Sequence, residues 1–209
     1  MDYFEPDLEN PYPAAWLGRD ECADFEMTVV DFEYHSPLVL YRGIDSVRQR
    51  TDSDAEYVVG ADYKVSFRLE TADREEFGDD DPFDDNDDGV SLDEVDLPAG
   101  RLEITVPKGM LTDLTSVPSV ARGIIGRVGP HLEAAIVHDF LYVAWQDVAG
   151  LEAREKDREF SDKLMRAAML SANVDSFDRR AIYDAVSEFG RPAYFGRNRY
   201  RYVVLPDAL

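Results

Sequence analysis

Residues 134–145 read Ala-Ala-Ile-Val-His-Asp-Phe-Leu-Tyr-Val-Ala-Trp, and His138 and Asp139 are the only groups in that run that carry charge near neutral pH. A helix apolar on every face has to be buried. Burying a polar group without a partner costs roughly 2–7 kcal/mol. The segment therefore demands other elements packed on all its sides. It also makes His138 and Asp139 the first candidates for chemistry.

The elements that could pack on it differ between the two halves of the chain. Residues 25–34, 38–42, 57–59, 63–69 and 101–106 are rich in β-branched and aromatic residues, and Val65, Phe67 and Leu69 alternate with Lys64, Ser66 and Arg68. That pattern predicts an antiparallel sheet with one wet face. From residue 131 the period becomes helical. Helices are expected over 131–145, 151–171 and 176–189, with Asp175 and Ser176 as caps and Gly190 and Pro192 as a stop. The fold class is α+β, an N-terminal antiparallel sheet packed against a C-terminal three-helix region. The expected organisation is an extended arm over 1–24, a β region over 25–107, a helical His-Asp region over 108–190, and a basic aromatic arm or strand over 191–209.

Charge narrows the setting. The 209 residues carry 44 acidic against 22 basic side chains, a net charge of −22, with only four lysines and 44% hydrophobic residues. Disorder needs low hydrophobicity as well as high charge, so the chain should fold. A strongly acidic, lysine-poor surface fits a protein made in a high-salt cytoplasm, where screening relieves self-repulsion. It also argues against nucleic acid as a partner. Cys22 is the single cysteine, which rules out an internal disulfide framework. The first residues have no basic, apolar leader pattern, and no run approaches the roughly 20 apolar residues of a membrane span.

Two regions invite a metal reading. Asp84, Asn86, Asp88 and Gly89 fall at positions one, three, five and six of an EF-hand-like calcium loop, but Glu94 comes one residue too early for the twelfth ligand. A solvated acidic insertion over 77–97 is favoured over a calcium site. His131 and His138 lie about 10.5 Å apart along a helix, too far to share an ion. Zinc is therefore not expected, and a hard ion on Asp139, with Asp113 as a second ligand, is the remaining metal option.

On the second helix Ala153, Asp157, Phe160, Leu164 and Ala168 form one stripe, while Glu155, Arg158, Glu159 and Lys163 fall mostly off it. Asp157 is thus expected to point inward and bond His138, with Tyr142 donating to the same network. A carboxylate that orients an imidazole prepares a general base. It can equally hold two helices in register. Asp139, turned about 100° from His138, is expected to meet a cation or the 107–118 segment, through Asp113 or a hydroxyl.

Pro107-Lys108-Gly109-Met110, Thr112-Asp113-Leu114-Thr115-Ser116-Val117-Pro118, Ala134 to Tyr142, and Lys156-Asp157-Arg158-Glu159-Phe160 together resemble an uncharacterised family encoded mainly by tailed phages and prophages. The resemblance spans about residues 101–190. His138-Asp139, Tyr142 and Asp157-x-x-Phe160 are also similar to the core of secreted and parvoviral phospholipases A2. That likeness implies His138 as base, Asp139 as a calcium ligand and Asp157 as the group orienting the histidine. Gly123, Gly126 and Gly129 sit too close to His138 to reproduce the phospholipase calcium loop. The expected function is a structural or accessory virion protein, in the tail or baseplate of a haloarchaeal virus. Its partners would be other virion proteins, or copies of itself met through the terminal arms with Arg197, Arg199 and Arg201 on acidic surface. The alternative is a calcium-dependent His-Asp hydrolase acting on the host envelope.

Overall fold

The computed structural model describes residues 3–17, 27–42, 57–71, 97–112, 129–197 and 201–205. It is an α+β fold with its strands in the N-terminal half and its long helices in the C-terminal half. The calcium-loop candidates Asp84, Asn86 and Asp88, and also Asp113, lie outside the described residues.

The strands form two three-stranded antiparallel sheets where one was expected. In the first, β4 (Tyr63–Thr71) lies between β1 (Met27–Tyr34) and β5 (Leu102–Val106). Both edges of β4 are therefore taken, and the strand preceding it has to pair elsewhere. That strand, β3 (Tyr57–Val59), sits between β2 (Leu40–Arg42) and β6 (Leu111–Thr112) in the second sheet. Alternation sets the faces: Leu102, Ile104 and Val106 point into the core while Glu103 and Thr105 face water. Ser66 is the exception, a buried hydroxyl that His35 meets at 2.6 Å and to which Arg101 Nε donates at 2.8 Å. The register of β1 against β4 slips between Val30 and Glu33, where Asp31 takes a positive φ and accepts from Arg68 Nε at 2.8 Å.

Among the described residues five helices follow the chain: α1 (Pro13–Leu17), α2 (Leu132–Ala144), α3 (Glu155–Ser171), α4 (Ser176–Phe189) and α5 (Arg191–Phe195). α2 is the buried helix that its sequence requires, with Ala134 to His138 and Phe140 to Tyr142 all in the core. α3 joins the helices to the first sheet. Tyr34 Oη donates to the Ala168 carbonyl at 2.8 Å, and Ser171 Oγ donates to the Phe32 carbonyl at 2.8 Å.

Over residues 3–17 and 201–205 the two ends pack on the chain's own core. Tyr12 is fully buried, its hydroxyl donating to the Leu141 carbonyl and accepting from the Trp145 amide. Trp16, on α1, packs edge-on against Phe67 and Phe160. Tyr202 bridges Met110 and Val203 bridges Tyr3, so the C-terminal segment lies between β6 and the N-terminus. The acidic partner of Arg201 is the chain's own Asp147, and Arg197 stacks over Trp145; Arg199 lies outside the described residues. Tyr3, Tyr12, Tyr202 and Val203 supply the apolar anchors that make packing on the own core favourable.

Candidate functional site

His138 projects from the middle of α2 with a fully buried side chain. Its Nε2 lies 2.8 Å from Oδ1 of Asp162, on α3. Tyr142, one turn further along α2, donates its hydroxyl to the same oxygen at 2.7 Å. The two rings are in contact, with centroids 4.0 Å apart. Gly190 leaves room for that phenol, since a methyl group there would collide with the hydroxyl. Asp162 Oδ2 accepts from Arg158 Nη1 at 2.6 Å, and Arg158 Nε reaches Glu155 at 2.7 Å.

The orienting carboxylate is thus Asp162, and the expected pairing of His138 with Asp157 is corrected. Five residues separate the two aspartates, which puts them about 140° apart around the helix. Asp157 is buried on a different side, where it takes Nε and Nη2 of Arg154 at 2.8 and 3.2 Å. Arg158 was expected to face water and is buried as well. α3 buries a wider arc than one stripe: Arg158, Ser161, Asp162, Met165 and Met169 form a second inward row beside Asp157, Phe160, Leu164 and Ala168. The legible signal was that row's apolar continuation through Met165 and Met169. The Arg158–Asp162 spacing of four residues instead suggested an ordinary exposed pair.

An ionised carboxylate only accepts hydrogen bonds, so Nε2 carries the ring proton. Nδ1 is then left as an acceptor, and among the described residues it is buried without a hydrogen-bond partner. A buried acceptor left unpaired costs about 1–3 kcal/mol. Burial and the adjacent Asp162 push the Tyr142 hydroxyl far above its ordinary range, so it remains a donor. Burial works against the charge on Arg158, but its bonds to Glu155 and Asp162 outweigh that and keep it cationic. Burial raises Asp157 above the usual carboxylate value, with Arg154 pulling the other way.

Asp139 faces away from this cluster and accepts from the Thr112 hydroxyl at the end of β6. That contact ties α2 to β6. As a calcium ligand Asp139 needs companions, and among the described residues no group of three or more His, Cys, Asp or Glu side chains surrounds any point. Among them, no helix is long and apolar enough to cross a membrane.

The sequence model of a family described as "Protein of unknown function (DUF1353)" matches residues 94–186. The match runs from before β5 into α4 and includes Thr112, His138, Asp139, Tyr142, Arg158 and Asp162. The chain is similar to that family over this stretch, which is less than half its length. No curated protein and no solved structure matches.

Proposed function

We propose that the chain is an accessory protein of a tailed haloarchaeal virus, in the tail or baseplate, and that His138 is the general base of a hydrolytic step on the host envelope. One observation carries the chemistry: the imidazole is held through Nε2 by Asp162, while among the described residues Nδ1 has no hydrogen-bond partner. In the step, Nδ1 takes a proton from water, the resulting hydroxide adds to an acyl carbonyl, and the imidazolium returns the proton to the leaving oxygen or nitrogen. Asp162 fixes the ring and stabilises its charged form, and Tyr142 helps hold Asp162. The particle setting is supported by the likeness of residues 101–190 to a phage-encoded family and by the net charge of −22.

The test uses the full chain in molar potassium chloride, with short-chain esters and phospholipid vesicles as substrates. His138→Asn keeps a polar group of similar size and removes the base, so hydrolysis should fall by about 10²- to 10⁴-fold. Equal rates in the two proteins, or no hydrolysis by the parent chain, would defeat the catalytic reading. Absence of the chain from purified particles would defeat the virion setting.

A second reading has its own support. The His138 side chain is completely buried, and Arg158 forms a buried ion pair with Asp162. In that reading the network joins α2 to α3 in a structural virion component and performs no chemistry. Carbethoxylation separates the two, because a working base must meet water: reaction of His138 in the native chain favours catalysis, and complete protection favours the structural role.

A further inference from the structure

We infer that Arg158 is a positioning residue for His138, acting through Asp162; the inference rests on the reading of His138 as a base. Two donors from α2, His138 Nε2 and Tyr142 Oη, converge on one oxygen of Asp162, at 2.8 and 2.7 Å. Both bonds fall on Oδ1, so fixing the plane of the carboxylate takes a further donor on its second oxygen. Arg158 holds it at 2.6 Å, one turn earlier on α3. The guanidinium is itself anchored at its other end. Nε donates to Glu155 Oε1 at 2.7 Å, and Glu155 Oε2 meets Arg191 of α5 at 3.3 Å.

A chain of alternating charge therefore runs from exposed Arg191 through Glu155, Arg158 and Asp162 to the buried imidazole. Its last link sets the angle at which Asp162 meets Nε2, and hence which ring nitrogen carries the proton. A lysine cannot reproduce this, because the planar guanidinium donates to two carboxylates in a fixed fork while an ammonium is a point charge on a flexible stem. Among the described residues, the Ser187 carbonyl of α4 lies 3.4 Å from Arg158 Nη1, and Tyr194 of α5 is edge-on to Tyr142. The Ser187 carbonyl cannot replace Arg158 on Asp162 Oδ2, since a carbonyl donates nothing.

The experiment labels the histidines of the full chain with ¹⁵N and compares the parent with Arg158→Met and Arg158→Lys. In the parent, His138 should give one tautomer and a slowly exchanging Nε2 proton. In R158M that proton signal should be lost and the ring nitrogens should show mixed tautomers, with R158K in between. Hydrolysis, read in parallel, should fall by about 10²-fold in kcat with KM unchanged, the scale of loss for a misplaced catalytic group. A folded R158M whose His138 signals match the parent's would overturn the inference, because a purely stabilising arginine lowers the melting temperature without touching the ring. If R158M does not fold, Glu155→Gln loosens the other end of the guanidinium. Faster exchange of the Nε2 proton would then support the inference, and an unchanged signal would overturn it. The ring signals need no turnover, so a chain with no hydrolytic activity would end the catalytic reading while leaving Arg158's effect on the ring separately measured.

Discussion

Replacing Asp162 with alanine is the perturbation that separates the two aspartates of α3 most sharply. The carboxylate accepts from three donors, His138, Tyr142 and Arg158, and its own side chain is 2% exposed. Its loss leaves two buried donors, His138 Nε2 and Tyr142 Oη, without this acceptor and strands a guanidinium that is 8% exposed with Glu155 as its remaining carboxylate. Each unpaired buried donor costs about 1–3 kcal/mol, and removing one partner of a buried ion pair costs about 3–5 kcal/mol. These terms share the same atoms and do not add, so the expected loss is about 3–5 kcal/mol. A domain of ordinary stability, about 5–15 kcal/mol, survives that and can be measured. Asp157→Ala removes a carboxylate bonded to Arg154, whose side chain is 34% exposed and can turn to water; it should cost about 1 kcal/mol. Urea unfolding at fixed high salt reads both variants, with the denaturant slope unchanged if each remains two-state. A D162A loss under about 1 kcal/mol, or a D157A loss equal to it, would refute the assignment of Asp162 as the partner of His138.

Three further outcomes follow from the same structure. Asp157 is held above its ordinary carboxylate value of 3.8 by burial, so its contribution is fully present below that pH and is lost as pH rises through the folded-state value; relative to Asp157→Asn, the parent should therefore lose stability as pH is raised from about 4, and a difference that is flat or opposite in sign would contradict this. Gly109 has φ +91° and its missing Cβ would strike the Val203 carbonyl, whereas Gly150 has φ +76° with nothing nearby; Gly109→Ala should cost about 2 kcal/mol or more and Gly150→Ala about 1 kcal/mol by thermal unfolding, and equal costs would show that the close approach of the C-terminal segment contributes nothing. With a net charge of −22, the melting temperature should rise steeply from 0.1 M to 2 M potassium chloride, as the screening length falls from about 10 Å to under 3 Å; equal values would end the halophilic reading.

Periodicity carried much of this fold. β3 spans Tyr57–Val59 and α4 spans Ser176–Phe189, the ranges that composition and capping predicted, and α2 covers all but the last residue of the apolar run 134–145. Partners were harder to read, because they depend on rotation about a helix axis and on long-range pairing. Asp157 satisfied a four-three-four stripe, yet α3 is buried over an arc broad enough to hold Arg158 and Asp162 as well, and Asp162 is the one that reaches His138. Arg201 was legible as a cation in need of an acid, but the sequence could not say that the acid is Asp147 at the end of the buried helix. The division into two sheets likewise depends on β4 having both edges occupied, which no local pattern encodes.

The account depends most directly on which nitrogen of His138 carries the proton. Long-range ¹H–¹⁵N correlation of the imidazole in the full-length chain, at a pH where the ring is neutral, measures this without a substrate. The expected spectrum has a proton on Nε2, directed at Asp162, and an unprotonated Nδ1 free to accept from water. A proton found on Nδ1 would contradict the account, since the remaining basic nitrogen, Nε2, would then face the Asp162 carboxylate instead of water and Asp162 would not be accepting its hydrogen bond.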